Sequence, residues 1–105
     1  MITRSSIQIP RDHPSFAGHF PAFPIVAGAL LLDEALQIIE RERGVDLTRW
    51  RLASVKFLRV VRPGEALCLE HDAPREDLVS FAIRAAGVIA VSGSLSPDPS
   101  PRMAP

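Results

Sequence analysis

A histidine, a glycine and an aspartate, at positions 19, 28 and 33, stand in the stretch of the chain that gathers parts for chemistry. It runs Gly18-His19-Phe20-Pro21-Ala22-Phe23-Pro24-Ile25-Val26-Ala27-Gly28 and continues as Ala29-Leu30-Leu31-Leu32-Asp33. An imidazole, with an ordinary pKa of about 6.5, exchanges protons at neutral pH. A backbone N–H at a helix start polarises a carbonyl and stabilises a developing enolate. With a carboxylate added, these are the parts that acid–base chemistry beside a carbonyl requires.

Each residue also has a plainer reading. Phe20 and Pro21 would shield His19 and favour its neutral form, yet a loop histidine commonly just hydrogen-bonds the backbone. Gly28 lets a ligand approach closely, or merely permits a tight turn. Asp33 shares a polar arc with Gln37 and Glu40, which points it at water. Against that, Asp is a mediocre residue inside a helix, and apolar Ala29–Leu32 predict burial for its section. Gln37, one turn on, is spaced to hydrogen-bond and orient it. Glu34 is the rival carboxylate, rotated away by about 100°.

Other reactive residues carry less. His13, in Asp12-His13-Pro14, reads as a turn residue, and His71 as a surface residue at a strand end. Histidines at 13, 19 and 71 form no i, i+4 ligand pair, so a metal site is not expected. Cys68, the single cysteine, excludes an internal disulfide and a multi-cysteine zinc site. It is expected to pack mid-strand as a small hydrophobe. Neither a nucleophile-elbow serine nor a phosphate-binding glycine motif is present.

The elements that must position these residues follow from the pattern. Ser6–Ile9 alternates as a short strand closed by Pro10. Residues 10–27, with Pro10, Pro14, Pro21 and Pro24, form a long loop stiff enough to place a side chain. Gly28 to about Arg43 reads as a helix ended by Gly44, with Leu31, Leu32, Ala35, Leu36, Ile38 and Ile39 on one arc. Strands follow at 51–61, 66–71, 78–85 and 88–95. In the first of them Ala53, Val55, Phe57 and Val61 share a face. Turns fall at 62–65, at 72–77 and at Gly87. Residues 97–105 read as a loose, proline-rich tail after one domain at 1–96. The order predicts an α+β fold with an antiparallel sheet of about five strands, whose open edge a dimer would close.

Composition fits one small globular domain: 105 residues, 47% hydrophobic and 23% charged. A formal net charge of +0 argues against a phosphate-driven nucleic-acid binder. Met1–Ser6 lacks the apolar region of a signal peptide, and the apolar run Ala27–Leu32 is too short to span a bilayer. The expected location is the cytoplasm.

The segment Asp12–Asp33 resembles the bacterial 3-hydroxyacyl-[acyl carrier protein] dehydratases of the hotdog fold. Their signature runs roughly H-F-P-G-x-P-[IV]-x-P-G-x-x-x-[LI]-[ED]-A-x-x-Q. His19 matches the catalytic histidine, and Asp33 falls on the catalytic carboxylate fourteen positions later (33 − 19). Gly28 matches the glycine whose N–H binds the thioester carbonyl, and Gln37 the glutamine after the carboxylate. Lys56-Phe57-Leu58-Arg59-Val60-Val61-Arg62-Pro63-Gly64-Glu65 is similar to the family's K-F-x-x-x-V-x-P-G-[DE] strand and turn. Ala22 and Ala27 replace a family Gly and Pro, and Glu34 stands at a usual Ala. In length the chain looks more like the short forms of aryl polyene or similar polyketide pathways.

The resemblance implies one central helix wrapped by a curved sheet, in at least a homodimer whose active sites join His19 of one chain to Asp33 of the other. It implies reversible loss of water from a (3R)-3-hydroxyacyl thioester, with no metal and no redox cofactor. The acyl group would arrive on the phosphopantetheine of an acyl carrier protein, met by Arg59, Arg62 and, more weakly, Arg84. A hotdog acyl thioesterase and a non-catalytic carrier-protein-binding subunit are the alternatives.

Overall fold

The computed structural model describes residues 1–9, 26 and 28–98. Strand β1 (Thr3–Ile7) precedes helix α1 (Gly28–Arg43) and a 3-10 turn at Leu47–Arg49. Strands β2 (Trp50–Phe57), β3 (Leu67–Arg75), β4 (Leu78–Ala85) and β5 (Val88–Pro97) complete the described chain. The five strands form one antiparallel sheet in the order β1-β3-β4-β5-β2. One helix against such a sheet is the expected α+β hotdog architecture.

The helix occupies the expected bounds because the sequence punctuates both ends. Gly44 takes φ +64 and donates its N–H to Glu40 O at 2.9 Å, a left-handed helix stop that glycine adopts without strain. The buried stripe Leu31, Ala35, Ile38 and Ile39 packs with Leu69, Val79, Phe81, Ile83, Val91 and Leu95 in one core. β4 alternates strictly, with Val79, Phe81, Ile83 and Ala85 turned inward. β4 and β5 join through Ala86-Gly87, both at positive φ (53 and 80), the backbone of a tight hairpin turn.

Several boundaries differ from the sequence reading. β1 starts earlier, at Thr3, and stops at Ile7, although Ile9 is still buried. β3 runs to Arg75, through residues read as a turn, because β4 supplies partners: Asp72 faces Ser80 and Arg75 faces Leu78. β2 ends at Phe57 rather than 61. Its pairing with β5 shifts between Leu52 and Ser54, which breaks the simple alternation expected for Ala53, Val55 and Phe57. β5 reaches Pro97, opposite Trp50, one residue into the expected tail.

Of the loop expected at 10–27, residues 10–25, with His13, His19, Phe20, Pro21 and Ala22, and Ala27 lie outside the described residues, as do residues 99–105. Among those described, no helix is long and apolar enough to cross a membrane.

Candidate active site

The first turn of α1 begins at Gly28, where several backbone N–H groups have no partner within the helix. Two backbone bonds anchor this entrance and the end of β2. Val26 N–H donates to Val61 O at 2.7 Å, and Leu58 N–H donates to Ala90 O at 2.7 Å. Gly28 is not at positive φ, so its backbone does not demand glycine. A Cβ there would fall 2.6 Å from Phe57 Cε1 and 2.9 Å from Cζ, so any larger residue must push the ring aside.

Asp33 lies about 7.5 Å along the axis from Gly28, at 1.5 Å of rise per residue. In the single chain it is exposed, contrary to the expected burial. The 100° helical step explains this: Leu31 and Ala35 turn into the core while Asp33 turns away. Gln37 donates from Nε2 to Asp33 Oδ2 at 2.9 Å, the one-turn contact that the spacing predicts. A carboxylate oriented by an amide donor and pointed outward keeps lone pairs free to bond a hydroxyl. His19, with Phe20 and Pro21, lies outside the described residues.

The family model described as ApeI-like, ApeI dehydratase, matches residues 3–94, nearly the whole described sheet and helix. The chain belongs to this family. The 3-hydroxyacyl-[acyl-carrier-protein] dehydratase FabZ of Chlamydia pneumoniae is 33% identical over 70 residues, covering 58% of this chain and 46% of that protein. FabZ of Caldicellulosiruptor saccharolyticus is 33% identical over 68 residues, covering 58% of this chain and 49% of its own length. The chain thus spans about half the length of these curated relatives.

Among solved structures, the dehydratase heterocomplex ApeI:P from Xenorhabdus doucetiae aligns with a TM-score of 0.69 at 21% identity, covering 90% of this chain and 85% of that one. The (R)-hydratase from A. caviae aligns with a TM-score of 0.66 at 20% identity, covering 93% and 95%. A thioesterase from Thermus thermophilus aligns with a TM-score of 0.60 at 17% identity, covering 94% and 85%. These likenesses establish the hotdog fold.

The arginines of this ApeI-like family member divide. Arg59 donates to Ala85 O at 3.0 Å and pairs with Glu65 Oε1 at 2.9 Å. Arg84 pairs with Glu70 Oε1 at 3.0 Å and donates to Gly87 O at 3.1 Å. Both side chains are committed to their own fold. Arg62 is exposed, and its backbone N–H donates to Glu65 Oε2 at 3.2 Å.

His71 overturns its surface reading. It sits inside β3 at 1% exposure, because Thr3 of β1 and Phe81 of β4 flank it in the sheet and the end of α1 covers it. Arg43 Nε–H donates to His71 Nδ1 at 2.8 Å, which leaves the ring proton on Nε2 to donate to Glu42 Oε1 at 2.7 Å. Ser5 Oγ–H also donates to Glu42. These bonds from His71 and Ser5 hold the Glu42 carboxyl below its usual range. This cluster ties the helix end to β1 and β3. Adjacent Glu42-Arg43 in the last helical turn was its one trace in the sequence.

Proposed function

We propose that the chain reversibly dehydrates (3R)-3-hydroxyacyl thioesters to trans-2-enoyl thioesters. The observation that carries this reading is the Gln37-held Asp33 carboxylate on the helix whose first turn offers the Gly28 amide. The Gly28 N–H would hold the thioester oxygen as enolate character develops at C2. His19, which Phe20 and Pro21 would shield, would remove the C2 proton. Asp33 would protonate or orient the departing 3-hydroxyl. The atoms balance: the substrate loses a proton from C2 and a hydroxyl from C3, together one water, and the proton that His19 takes replaces the one given to the departing hydroxyl. No redox cofactor or metal enters this scheme.

The acyl group would arrive on the phosphopantetheine of an acyl carrier protein. Arg62 is better placed than Arg59 or Arg84 to meet an acidic partner, since the latter two face internal carboxylates.

The working unit would be a homodimer joined along β2, with His19 of one chain facing Asp33 of the other. Exposed Leu52 on β2, with Leu58 and Val60 just after it, supports this edge. On the opposite edge β1 exposes Arg4 and Ser6 instead. An open strand edge with apolar side chains is costly to leave in water.

The test is to incubate the purified protein with a 3-hydroxyacyl carrier-protein thioester and with its 2-enoyl counterpart. Interconversion of the two supports the dehydratase. Release of free thiol identifies a thioesterase, and binding without turnover identifies a non-catalytic subunit; either result overturns the proposal.

A further inference from the structure

The geometry points to Phe57 as the residue that sets selectivity near the reacting carbons, an inference that rests on the thioester reading of Gly28. The ring edge of Phe57 abuts Gly28 so closely that a methyl group at that glycine would overlap it. The Gly28 φ is not positive, so the close approach of this ring is the constraint the structure places on the position. The ring itself is 53% exposed, so much of its surface is open to a ligand.

The Phe57 backbone is fixed from both sides. Phe57 pairs with Val91 in the sheet, and the following residue, Leu58, is bonded to Ala90. The helix entrance is bonded to the same chain segment through Val26 and Val61. The backbone that carries the ring is therefore anchored beside the first-turn amides.

A carbonyl oxygen accepting from an N–H stands about 2.9 Å from the nitrogen. The carbonyl carbon and C2 then lie within the same few ångströms that the ring occupies beside Gly28. A straight acyl chain can pass along the ring. A branch at C2 must displace it, and one methyl group in a shaped apolar site changes discrimination by about 10- to 200-fold. Phe57 thus selects thioesters that are unsubstituted next to the carbonyl, and it keeps water off one side of the amide.

The experiment compares pantetheine thioesters of 3-hydroxybutanoate and 2-methyl-3-hydroxybutanoate on the wild type, Phe57→Ala, Phe57→Leu, Gly28→Ala and the Gly28→Ala/Phe57→Ala double variant. Phe57→Ala is expected to raise the branched-to-straight ratio of kcat/KM about tenfold or more, and Phe57→Leu by less. Gly28→Ala keeps the N–H yet is expected to lose about tenfold in kcat/KM on the straight substrate, because the ring is pushed aside. The double variant is expected to regain most of that loss, as contacting residues do in a double-mutant cycle.

An unchanged ratio in a Phe57→Ala protein that melts cooperatively overturns the proposal, as does a double variant no better than Gly28→Ala. If the wild type turns over neither substrate, the dehydratase reading falls by itself. The wall is then read from binding of straight and 2-methyl acyl-pantetheine amides by calorimetry. The same shift in ratio upholds it; an unchanged ratio, or binding of neither amide, overturns it.

Discussion

Gln37 and Asp33 are hydrogen-bonded across one turn of α1, Nε2 to Oδ2 at 2.9 Å, on a face of the helix that a single chain leaves in water. On an isolated helix such a pair is worth about 0.2–0.5 kcal/mol. Its significance is therefore in direction, since the amide selects one orientation of the carboxylate.

Gln37→Leu should accordingly lower kcat for dehydration by about tenfold, because a misplaced group costs rate steeply. KM and the melting temperature should stay close to wild type. A melting temperature that falls in step with kcat would mean that Gln37 serves stability instead.

If His19 and Asp33 meet across chains, two dead variants should rescue each other. His19→Ala and Asp33→Asn are each expected to lose about 100-fold or more in kcat. Mixed and re-assembled in equal amounts, they should recover about a quarter of wild-type activity, since random C2 pairing makes half the dimers mixed, each with one intact site. Absence of recovery, with mixed dimers confirmed by mass spectrometry, would place both residues in one chain's site.

Two glycine-related positions should move stability in opposite directions. A Cβ at Gly93 would fall 2.6 Å from Ser54 O and 2.7 Å from Phe81 Cζ, so both backbone and core obstruct it. Gly93→Ala should destabilise by about 1–3 kcal/mol in urea unfolding. Ala86, at φ 53, occupies a left-handed position that costs a side-chain-bearing residue about 1–2 kcal/mol. Ala86→Gly should recover part of that.

Acid should unfold the protein through its paired carboxylates. Hydrogen bonds from His71 and Ser5 lower Glu42, and those from Arg84 and Arg4 lower Glu70. The N-terminal ammonium lowers Asp72. A carboxylate depressed in the folded state contributes stability above its unfolded pKa and loses it as pH falls through the folded value. Stability should therefore hold above about pH 4.5 and decline below it. Glu42→Gln should flatten that decline, as measured by urea midpoints across pH 3–6.

How far the sequence foretold this molecule depended on the range of the interactions. α1 was legible because a local apolar stripe runs between Gly28 and Gly44, and β4 because Val79, Phe81, Ile83 and Ala85 alternate. The Asp33–Gln37 bond was legible for the same reason, being one turn long. The extent of β3 was not, since polar Asp72–Arg75 become strand only when β4 pairs with them. Nor was the burial of His71, whose partners Glu42 and Arg43 come from a distant helix end. The meeting of Gly28 with Phe57 joins two elements in space, and the local pattern of either segment carries no sign of it.

The sheet order has a consequence for the sequence of folding events. β3, β4 and β5 are chain neighbours and sheet neighbours, so Leu67–Pro97 closes through two short hairpins. β1, α1 and β2 all come earlier in the chain, and the two strands attach at opposite flanks by long-range pairings such as Thr3 with His71 and Trp50 with Pro97. Distant pairings form slowly, and flanking segments open first. The meander is thus a template on which the first half of the chain is laid, and amide exchange should be fastest in β1 and β2. Gly28, Asp33 and Phe57 all belong to that late-arriving half, so the corner proposed as catalytic matures last and can breathe while the meander beneath it stays folded.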